Sequence, residues 1–320
     1  MMRRRTFIAG AAAAATPALW PLAAHGQQAN IPVIGFLSPT LGSSDSLSEL
    51  QIGLKDAGYI EGQNVEFRLG NERPLQLAAR ELVRLKVTAI VAIGGVDGLR
   101  EAAAATSTIP ILYAGGADPV KIGLAASLNR PGGNVTGITI ILNQLVGKRL
   151  DLLLKLRPEV TTVGYVTGDR VDGEVDALLE AARILGRQIE VFICNSPGAI
   201  ESAFAAMVER RVGAVMVGAF PPAFNNCKLV LTLAAEHRLP AIYAQRQYVY
   251  DGGLMSYSPA SPYRQLAIQY VARVLKGAKP GDLPIQQPTD YEFITNLRTA
   301  KALGITIPFT LQTLADKTIE

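Results

Sequence analysis

The chain repeats one pattern, and this repeat is the feature that most constrains its fold. From residue 31 onward, short β-branched runs alternate with amphipathic segments of helical length, as in strand–helix–strand units with a parallel sheet. Three matches recur in the same order at nearly equal offsets: Ile34–Phe36 with Val163–Tyr165, Thr88–Val91 with Gly213–Met216, and Ile109–Tyr113 with Leu239–Tyr243. The repeat predicts two similar α/β lobes with parallel sheets.

Each lobe receives four predicted strands. In the first lobe these are Val33–Leu37, Asn64–Leu69, Ala89–Ile93 and Ile109–Tyr113, with helices near 43–57, 74–85 and 97–105. In the second lobe they are Thr161–Val166, Glu190–Ile193, Ala214–Val217 and Ala241–Tyr243.

Turn-rich segments indicate where the chain passes between the lobes. Asn129–Gly137 is dense in turn formers, and two more such segments, Asp251–Gly253 and Lys279–Asp282, flank a helical stretch at Tyr263–Leu275. This order predicts a return to the first lobe and a last crossing that leaves Asn296–Leu303 on the second. The predicted boundaries are 31–135 plus 258–285 for lobe 1, and 138–255 plus 286–320 for lobe 2.

Residues 1–26 have the features of a bacterial export signal. A basic start at Arg3–Arg5 precedes the Ala-rich run Ala9–Ala15 and a small-residue region, Leu22–Gly26. Cleavage there would release a soluble periplasmic protein beginning at Gln27, and no Cys stands near to carry a lipid anchor. The pair at Arg4–Arg5 resembles a twin-arginine signal, with the Sec route as the alternative, and an N-terminal helix of the folded domain is the other interpretation.

The net charge and the few Cys and His residues exclude several classes of protein. Three of the charges in the formal net of +4 are Arg3–Arg5, so the remaining chain is nearly neutral and gives no electrostatic case for binding nucleic acid or a membrane surface. Cys194, Cys227, His25 and His237 lack zinc-site spacing, so we expect no metal and no cofactor. Each Cys is placed near a strand end, and either two free thiols or a disulfide remains open.

Catalytic motifs are missing from the sequence. Gly94–Gly98 lacks the spacing of a nucleotide loop. His237 is the one histidine left after signal removal, and it is predicted at the end of the sheet opposite the cleft. An exported enzyme would need a titratable cluster at the strand ends, where Asp118, Asp169 and Arg170 are available. The expectation is therefore a binding protein rather than an enzyme.

Ligands of open parallel sheets lie at the carboxyl ends of strands, which selects the candidate site. The candidates are Ser38, Thr40, Gly95, Val96, Asp118, Gly168, Asp169, Phe220, Gln245 and Tyr257. The turn at Gly95 and Val96 would offer backbone N–H groups to an anion, and Asp118 or Asp169 would bind an ammonium group. Alternatively, Asp118 caps a helix around Val120–Ser127 and Asp169 is an ordinary turn residue.

Phe220 and Tyr257 would supply an aromatic wall to the candidate site. Packing of either ring against its own lobe is the alternative.

Several longer stretches resemble the solute-binding proteins of ABC transporters, in the family that includes tryptophan- and tyrosine-binding members. They are Val33–Leu37, Leu54–Val65, Asp118–Leu124, Asn129–Gly137, Gly252–Tyr257 and the tail at Leu297–Pro308. The resemblance implies the type I periplasmic binding protein architecture, with two Rossmann-like lobes joined by a three-crossing hinge. It also implies closure on a small solute followed by docking with an ABC permease of the inner membrane.

Amino-acid-binding members of this family seat the carboxylate at helix N-termini and the ammonium group on an acidic residue. Similar sequences often carry Thr where this chain has Val96, and Asn and Pro where it has Asp169–Asp172. The expected ligand is therefore an aromatic or aliphatic amino acid or a related organic acid. A monomer is expected, because hinge closure needs free lobes, and an exported ligand-sensing module is the alternative function.

Overall fold

Two β-sheets, each with helices packed on both faces, organise the chain. The computed structural model describes residues 31–39, 44–70, 74–140, 142–169 and 173–320, and residues 31–320 form one compact unit. The predicted export signal, residues 1–26, lies outside the described residues. None of the helices in the described ranges is both long and apolar enough to cross a membrane.

The first sheet has five parallel strands in the order β2-β1-β3-β4-β5. They are β1 Val33–Leu37, β2 Glu66–Gly70, β3 Ala89–Ile93, β4 Ile111–Gly115 and β5 Val135–Thr139, with helices α1 Ser44–Asp56, α2 Leu75–Arg84 and α3 Val96–Ala105. Every residue of β3, β4 and β5 is buried. Such unbroken burial is typical of parallel strands covered by helices on both faces.

The second sheet contains seven strands in the order β12-β11-β10-β9-β8-β6-β7. Its elements begin with α4 Leu142–Leu156, β6 Thr162–Thr167, α5 Glu174–Ile184, β7 Gln188–Ile193, α6 Pro197–Glu209, β8 Ala214–Val217, α7 Pro221–Asn225 and α8 Cys227–Glu236. They continue with β9 Ala241–Tyr243, α9 Gln247–Tyr250, β10 Met255–Pro259, β11 Tyr291–Asn296, α12 Leu297–Ala302, α13 Phe309–Leu314 and β12 Lys317–Ile319. Only β11 runs antiparallel to its neighbour β10 among the described strands.

The predicted two-lobe repeat is confirmed by strand order. The order β2-β1-β3-β4-β5 recurs as β7-β6-β8-β9-β10, and the three matched segments of the sequence fall on β1 and β6, β3 and β8, and β4 and β9. The second sheet then adds β11 and β12 at its edge. The sequence therefore encodes two copies of one α/β unit with a short extension on the second.

Three segments connect the two sheets. The first follows β5 and leads to α4, which packs on the second sheet. The second follows β10 and leads to α10 Pro262–Leu266, a π turn Ala267–Val271 and α11 Ala272–Leu275. This helical stretch joins the core of the first lobe with Leu50 and Leu54 of α1. The third, between Ile285 and Tyr291, follows the 3-10 turn Pro280–Asp282 and returns the chain to β11.

The structure shifts the predicted crossover points by a few residues. Ile138 and Thr139 pair with β4 of the first lobe, although the predicted boundaries assign them to lobe 2. Ser258 and Pro259 pair with β11 of the second lobe, although the predicted boundaries assign them to lobe 1. The turn formers of Asn129–Gly137 suggested a linker, but Gly137 belongs to a strand. A Cβ there would lie 2.1 Å from the Tyr113 carbonyl oxygen, and its φ is +145°. Close backbone approach explains that glycine.

Candidate functional site

A cleft of about 1100 Å³ opens between the lobes, at the carboxyl ends of both sets of parallel strands. Parallel strands end at the same edge of a sheet, so the loops that follow them converge there. Seven of the ten predicted residues line this cleft: Gly95, Val96, Asp118, Gly168, Asp169, Phe220 and Gln245. Thr40 lies outside the described residues, and Ser38 and Tyr257 are not among those lining the cleft. Ligand contact by any of the ten stays a prediction.

The start of α3 matches the predicted anion seat in its geometry. Gly95 precedes the helix with φ +107° and, as a glycine, has no side chain that could cap the first turn. The first N–H groups of a helix have no partner within the helix, and they carry the positive end of its dipole. Val96 follows at the cleft surface. The first lobe's side of the cleft therefore offers backbone N–H donors at Gly95 and Val96, the two residues predicted to bind an anion.

Asp118 caps a turn rather than a helix. Its Oδ1 accepts hydrogen bonds from the backbone N–H groups of Val120 at 3.0 Å and Lys121 at 3.2 Å. The predicted helix at Val120–Ser127 is wrong, because the chain forms successive turns and bends there. Gly123 lies within this segment and Pro119 and Pro131 flank it, and these residue types favour turns over a helix. Asp169 is exposed at the cleft rim, and Arg170, with residues 171–172, lies outside the described part of the chain.

Tyr257 lies away from the cleft surface. Its ring stacks on Tyr291, with centroids 6.0 Å apart and planes 18° from parallel, and it packs at the edge of the second lobe's core. Consecutive residues of a strand point to opposite faces, and the next residue, Ser258, lines the cleft instead. Ser38 is 2% exposed at the end of β1. For Tyr257, the structure supports the packing alternative that the sequence left open.

Two charged residues that the sequence reasoning did not select join the walls of the cleft. Glu49 on α1 forms an ion pair with Arg246, which follows β9 on the second lobe. Arg246 also donates to the carbonyl of Ala260 and lies 3.3 Å from Glu292. Strand-end reasoning missed Glu49, because it sits on a helix face whose orientation toward the cleft is set by tertiary packing.

Two buried acceptor atoms belong to cleft-lining residues of different lobes. Glu49 Oε2, on the first lobe's side of the cleft (the first wall), and Gln245 Oε1, on the second lobe's side (the second wall), have no hydrogen-bond partner among the described residues. Buried acceptors are nearly always paired in folded proteins. Both atoms would therefore suit N–H donors of a bound molecule.

A buried ion pair of the second lobe includes one residue of the cleft lining, Arg149. Arg149 on α4 is 2% exposed and Glu174 at the start of α5 is 1% exposed, with Nη1 and Oε1 3.5 Å apart. Burial lowers the pKa of Arg149, and Glu174 opposes that shift. Burial also raises the pKa of Glu174, against the effect of Arg149. Neither residue follows a strand directly, so strand-end reasoning from the sequence does not reach them.

Histidine and cysteine are the side chains that most often serve catalysis or metal binding in such a fold. His237 is exposed directly after α8, outside the cleft lining. Within the described residues, no three His, Cys, Asp or Glu side chains cluster as metal ligands. Both cysteines are free, and Cys227 begins α8 rather than lying near a strand end. Burial raises the pKa of the Cys194 thiol to about 11.

The sequence and the fold both match known proteins. A family model described as ABC transporter substrate binding protein matches residues 30–319. A curated relative, the tyrosine-binding protein of Clostridioides difficile, is 28% identical over 262 residues, which are 79% of this chain and 74% of that protein.

Two solved structures are similar over nearly their whole length. An ABC domain from Streptococcus pneumonia in complex with L-Trp superposes with a TM-score of 0.78 at 27% identity, covering 90% of this chain and 99% of that one. A conserved domain protein from Vibrio cholerae gives 0.80 at 25% identity with the same coverage.

Proposed function

Because this chain belongs to the ABC transporter substrate-binding proteins, we propose that it captures an aromatic amino acid between its lobes and delivers it to a membrane permease. The curated relative is named for tyrosine, and the similar solved domain holds L-Trp. Both ligands combine an ammonium group, a carboxylate and an aromatic ring. The cleft has features suited to each of these three groups.

The observation that carries this proposal is the pair of unpartnered acceptors, Glu49 Oε2 and Gln245 Oε1, on opposite walls. An ammonium group has three donors and would satisfy both atoms while it bridges the lobes. A charge-assisted bond to the carboxylate of Glu49 is stronger than a neutral one. We prefer Glu49 to Asp118, which caps a turn, and to Asp169, which is exposed. Glu49 Oε1 pairs with Arg246, and its buried Oε2 is the atom that would bind the ammonium group.

The cleft also has candidate sites for the carboxylate and the aromatic ring of the ligand. Backbone N–H groups at Gly95 and Val96 would receive the carboxylate at the start of α3. Phe220, 5% exposed, and Phe224 line the second wall and would pack against the aromatic ring. An apolar wall with a few placed polar groups is typical of small-molecule sites.

The mechanism would be a conformational change without chemistry. A ligand that touches both walls binds the closed arrangement more tightly than the open one, so it shifts the population toward closure. The three connecting segments between the sheets would act as the hinge. Closure then presents a distinct surface to the permease. In this scheme the exported monomer works in the periplasm, after removal of residues 1–26.

The first test is thermal unfolding in the presence of L-tryptophan, L-tyrosine, L-phenylalanine, aliphatic amino acids and aromatic acids without an amine. A ligand at 100 times its Kd stabilises the fold by about 2.7 kcal/mol, which raises the midpoint by several degrees. Aromatic amino acids should raise it, whereas the amine-free acids should not. A shift from the amine-free acids alone would contradict the role of Glu49.

Calorimetry of Glu49→Gln then tests the ammonium site directly. We expect affinity for the aromatic amino acid that stabilises best to fall roughly ten- to hundred-fold, as for loss of a hydrogen bond to a charged group. Asp56→Asn is the matched control, because Asp56 is on the same helix but pairs with Arg264 outside the cleft. Equal losses in both variants would remove Glu49 from the site.

A further inference from the structure

Building on the proposed function, we propose that the second wall holds a hydrogen-bonding subsite for an uncharged oxygen at the far end of the ligand. Arg149 and Ser258 form this subsite, and Glu174 supplies the countercharge. We call these three residues the polar floor. The chemical class that it selects is a phenol, so tyrosine is favoured over phenylalanine.

Arg149 reaches the cleft with one end of its guanidinium group unused. Its Nε donates to the carbonyl oxygen of Tyr257 at 2.9 Å, and its Nη1 lies 3.5 Å from Glu174. Its Nη2 is buried without a hydrogen-bond partner among the described residues, although Arg149 lines the cleft. One nitrogen is therefore hydrogen-bonded and one is ion-paired. The third is the one that a ligand would use.

Ser258 places a second unpartnered group in the cleft wall. The residue is 4% exposed on β10, and its Oγ has no hydrogen-bond partner in the part of the chain that the structure describes. A hydroxyl both donates and accepts. A phenol oxygen would accept from Arg149 Nη2 while its own proton is donated to Ser258 Oγ. One ligand group would therefore satisfy two buried protein atoms.

The charge of the polar floor favours a neutral ligand group. Glu174 is 1% exposed and already faces Arg149, so a carboxylate at the subsite would place two anions beside one guanidinium group away from water. Burial of an uncompensated charge is costly. A neutral oxygen accepts the free N–H without adding charge. A phenol therefore fits better than a second carboxylate.

The position of the polar floor makes it a site for the far end of the ligand. Under the proposed function, the amino-acid head lies against Glu49 and Gly95 of the first lobe, while Phe220 faces it from the second lobe. The polar floor lines the same second wall. A ring that leaves the first wall would present its distal substituent there. A site that pairs a hydroxyl binds an analogue that lacks it less tightly.

Calorimetric titration of the full chain with L-tyrosine and L-phenylalanine tests this inference. The wild-type chain should prefer tyrosine by roughly ten- to hundred-fold, the range for a hydrogen bond to a charged group. Ser258→Ala should reduce that ratio. Ser256→Ala is the matched control, because Ser256 is also buried and unpartnered on β10 but does not line the cleft. It should leave the ratio unchanged.

A second variant removes the guanidinium without leaving a lone buried charge. Arg149→Met combined with Glu174→Leu replaces the ion pair by apolar side chains, which buried pairs commonly tolerate. This double variant should bind both ligands about equally. Persistence of the tyrosine preference in it would overturn the inference, as would equal affinities in the wild-type chain.

Two further outcomes separate the inference from the function on which it rests. Tighter binding of L-4-carboxyphenylalanine than of L-tyrosine would overturn the neutral-acceptor assignment while leaving the amino-acid site intact. Failure of the wild-type chain to bind any of these three amino acids or L-tryptophan would overturn the proposed function together with the inference.

Discussion

The two lobes share one strand order, but they treat their buried polar groups differently. In the first lobe, the hydroxyls of Thr136 and Thr139 donate to the carbonyls of Leu283 at 2.7 Å and Ala117 at 2.8 Å. In the second lobe, the hydroxyls of Ser256 and Ser258 have no hydrogen-bond partner among the described residues. These two threonine hydroxyls are therefore satisfied within the fold, whereas the two serine hydroxyls are not, and Ser258 lines the cleft.

The repeat locates part of this difference in a single side chain. Phe36 on β1 and Tyr165 on β6 are matched positions of the repeat, and both are buried. Burial, followed by the nearby Glu174 carboxylate, raises the pKa of Tyr165. The first lobe has an apolar ring where the second has a phenol. The matched position is therefore polar only in the second lobe, where Tyr165 lies near Glu174 of the polar floor.

The largest expected effect concerns the ion pair of the second lobe. Arg149→Ala leaves Glu174 buried without a countercharge, which should lower the free energy of unfolding by about 3–5 kcal/mol. Adding Glu174→Leu to Arg149→Met should restore most of that loss. Urea unfolding of the wild-type chain and these variants measures both changes. A mild effect of Arg149→Ala would show that the pair is solvated rather than buried.

A smaller loss of stability is expected for a substitution at Gly137 on β5 of the first lobe, where the matched strand β10 of the second lobe carries Tyr257. Gly137→Ala would force a Cβ to 2.1 Å from the Tyr113 carbonyl oxygen, so we expect a loss of about 1–3 kcal/mol, as for overpacking. Gly58→Ala is a control with a positive φ but open space around the Cβ. Thermal unfolding should rank Gly137→Ala as the more damaging of the two.

The contrast between satisfied and unsatisfied hydroxyls gives a direct pair of variants. Thr136→Val leaves the Leu283 carbonyl unpaired and should cost about 1 kcal/mol. Ser256→Ala removes a hydroxyl that has no partner, so it should be neutral or stabilising. Denaturant midpoints of the two variants decide the matter. If Ser256→Ala costs as much as Thr136→Val, the two cores do not differ as described.

The smallest expected effect is a dependence on pH. Burial raises the pKa of Glu174 above 4.5, so its proton is held more tightly in the folded chain than in the unfolded one. This contribution to stability is complete below the ordinary pKa and is lost as pH rises through the folded pKa. The wild-type chain should therefore lose stability relative to Arg149→Met/Glu174→Leu as pH rises from 4.5 toward neutrality. Parallel curves of unfolding free energy against pH for the wild-type chain and the double variant would contradict this expectation.

Sequence patterns predicted the architecture well, because strands and repeats are local features. The runs at Val33–Leu37, Ala214–Val217 and Ala241–Tyr243 became strands with these bounds. Strand-end logic also placed Gly95, Phe220 and Gln245 at the cleft. Each follows a strand directly, and parallel topology brings such residues to one edge.

Side-chain orientation set the limit of that prediction. Glu49 and Arg149 lie on helices, and their facing toward the cleft depends on how α1 and α4 pack against other elements. Tyr257 and Ser258 are adjacent on one strand, and their side chains point to opposite faces of the sheet. A shift of one residue along the strand would exchange which of them reaches the cleft. The turn at Asp118 was read as a helix start because an Asp side chain caps both structures.

Binding of L-tryptophan, followed by its own fluorescence, tests the central claim most directly. The single tryptophan of the chain is Trp20, so the chain from Gln27 onward contributes no indole signal. If the cleft takes an aromatic amino acid, the ligand emission should shift to shorter wavelength and saturate at one equivalent. An unchanged emission at protein concentrations far above micromolar would contradict the account.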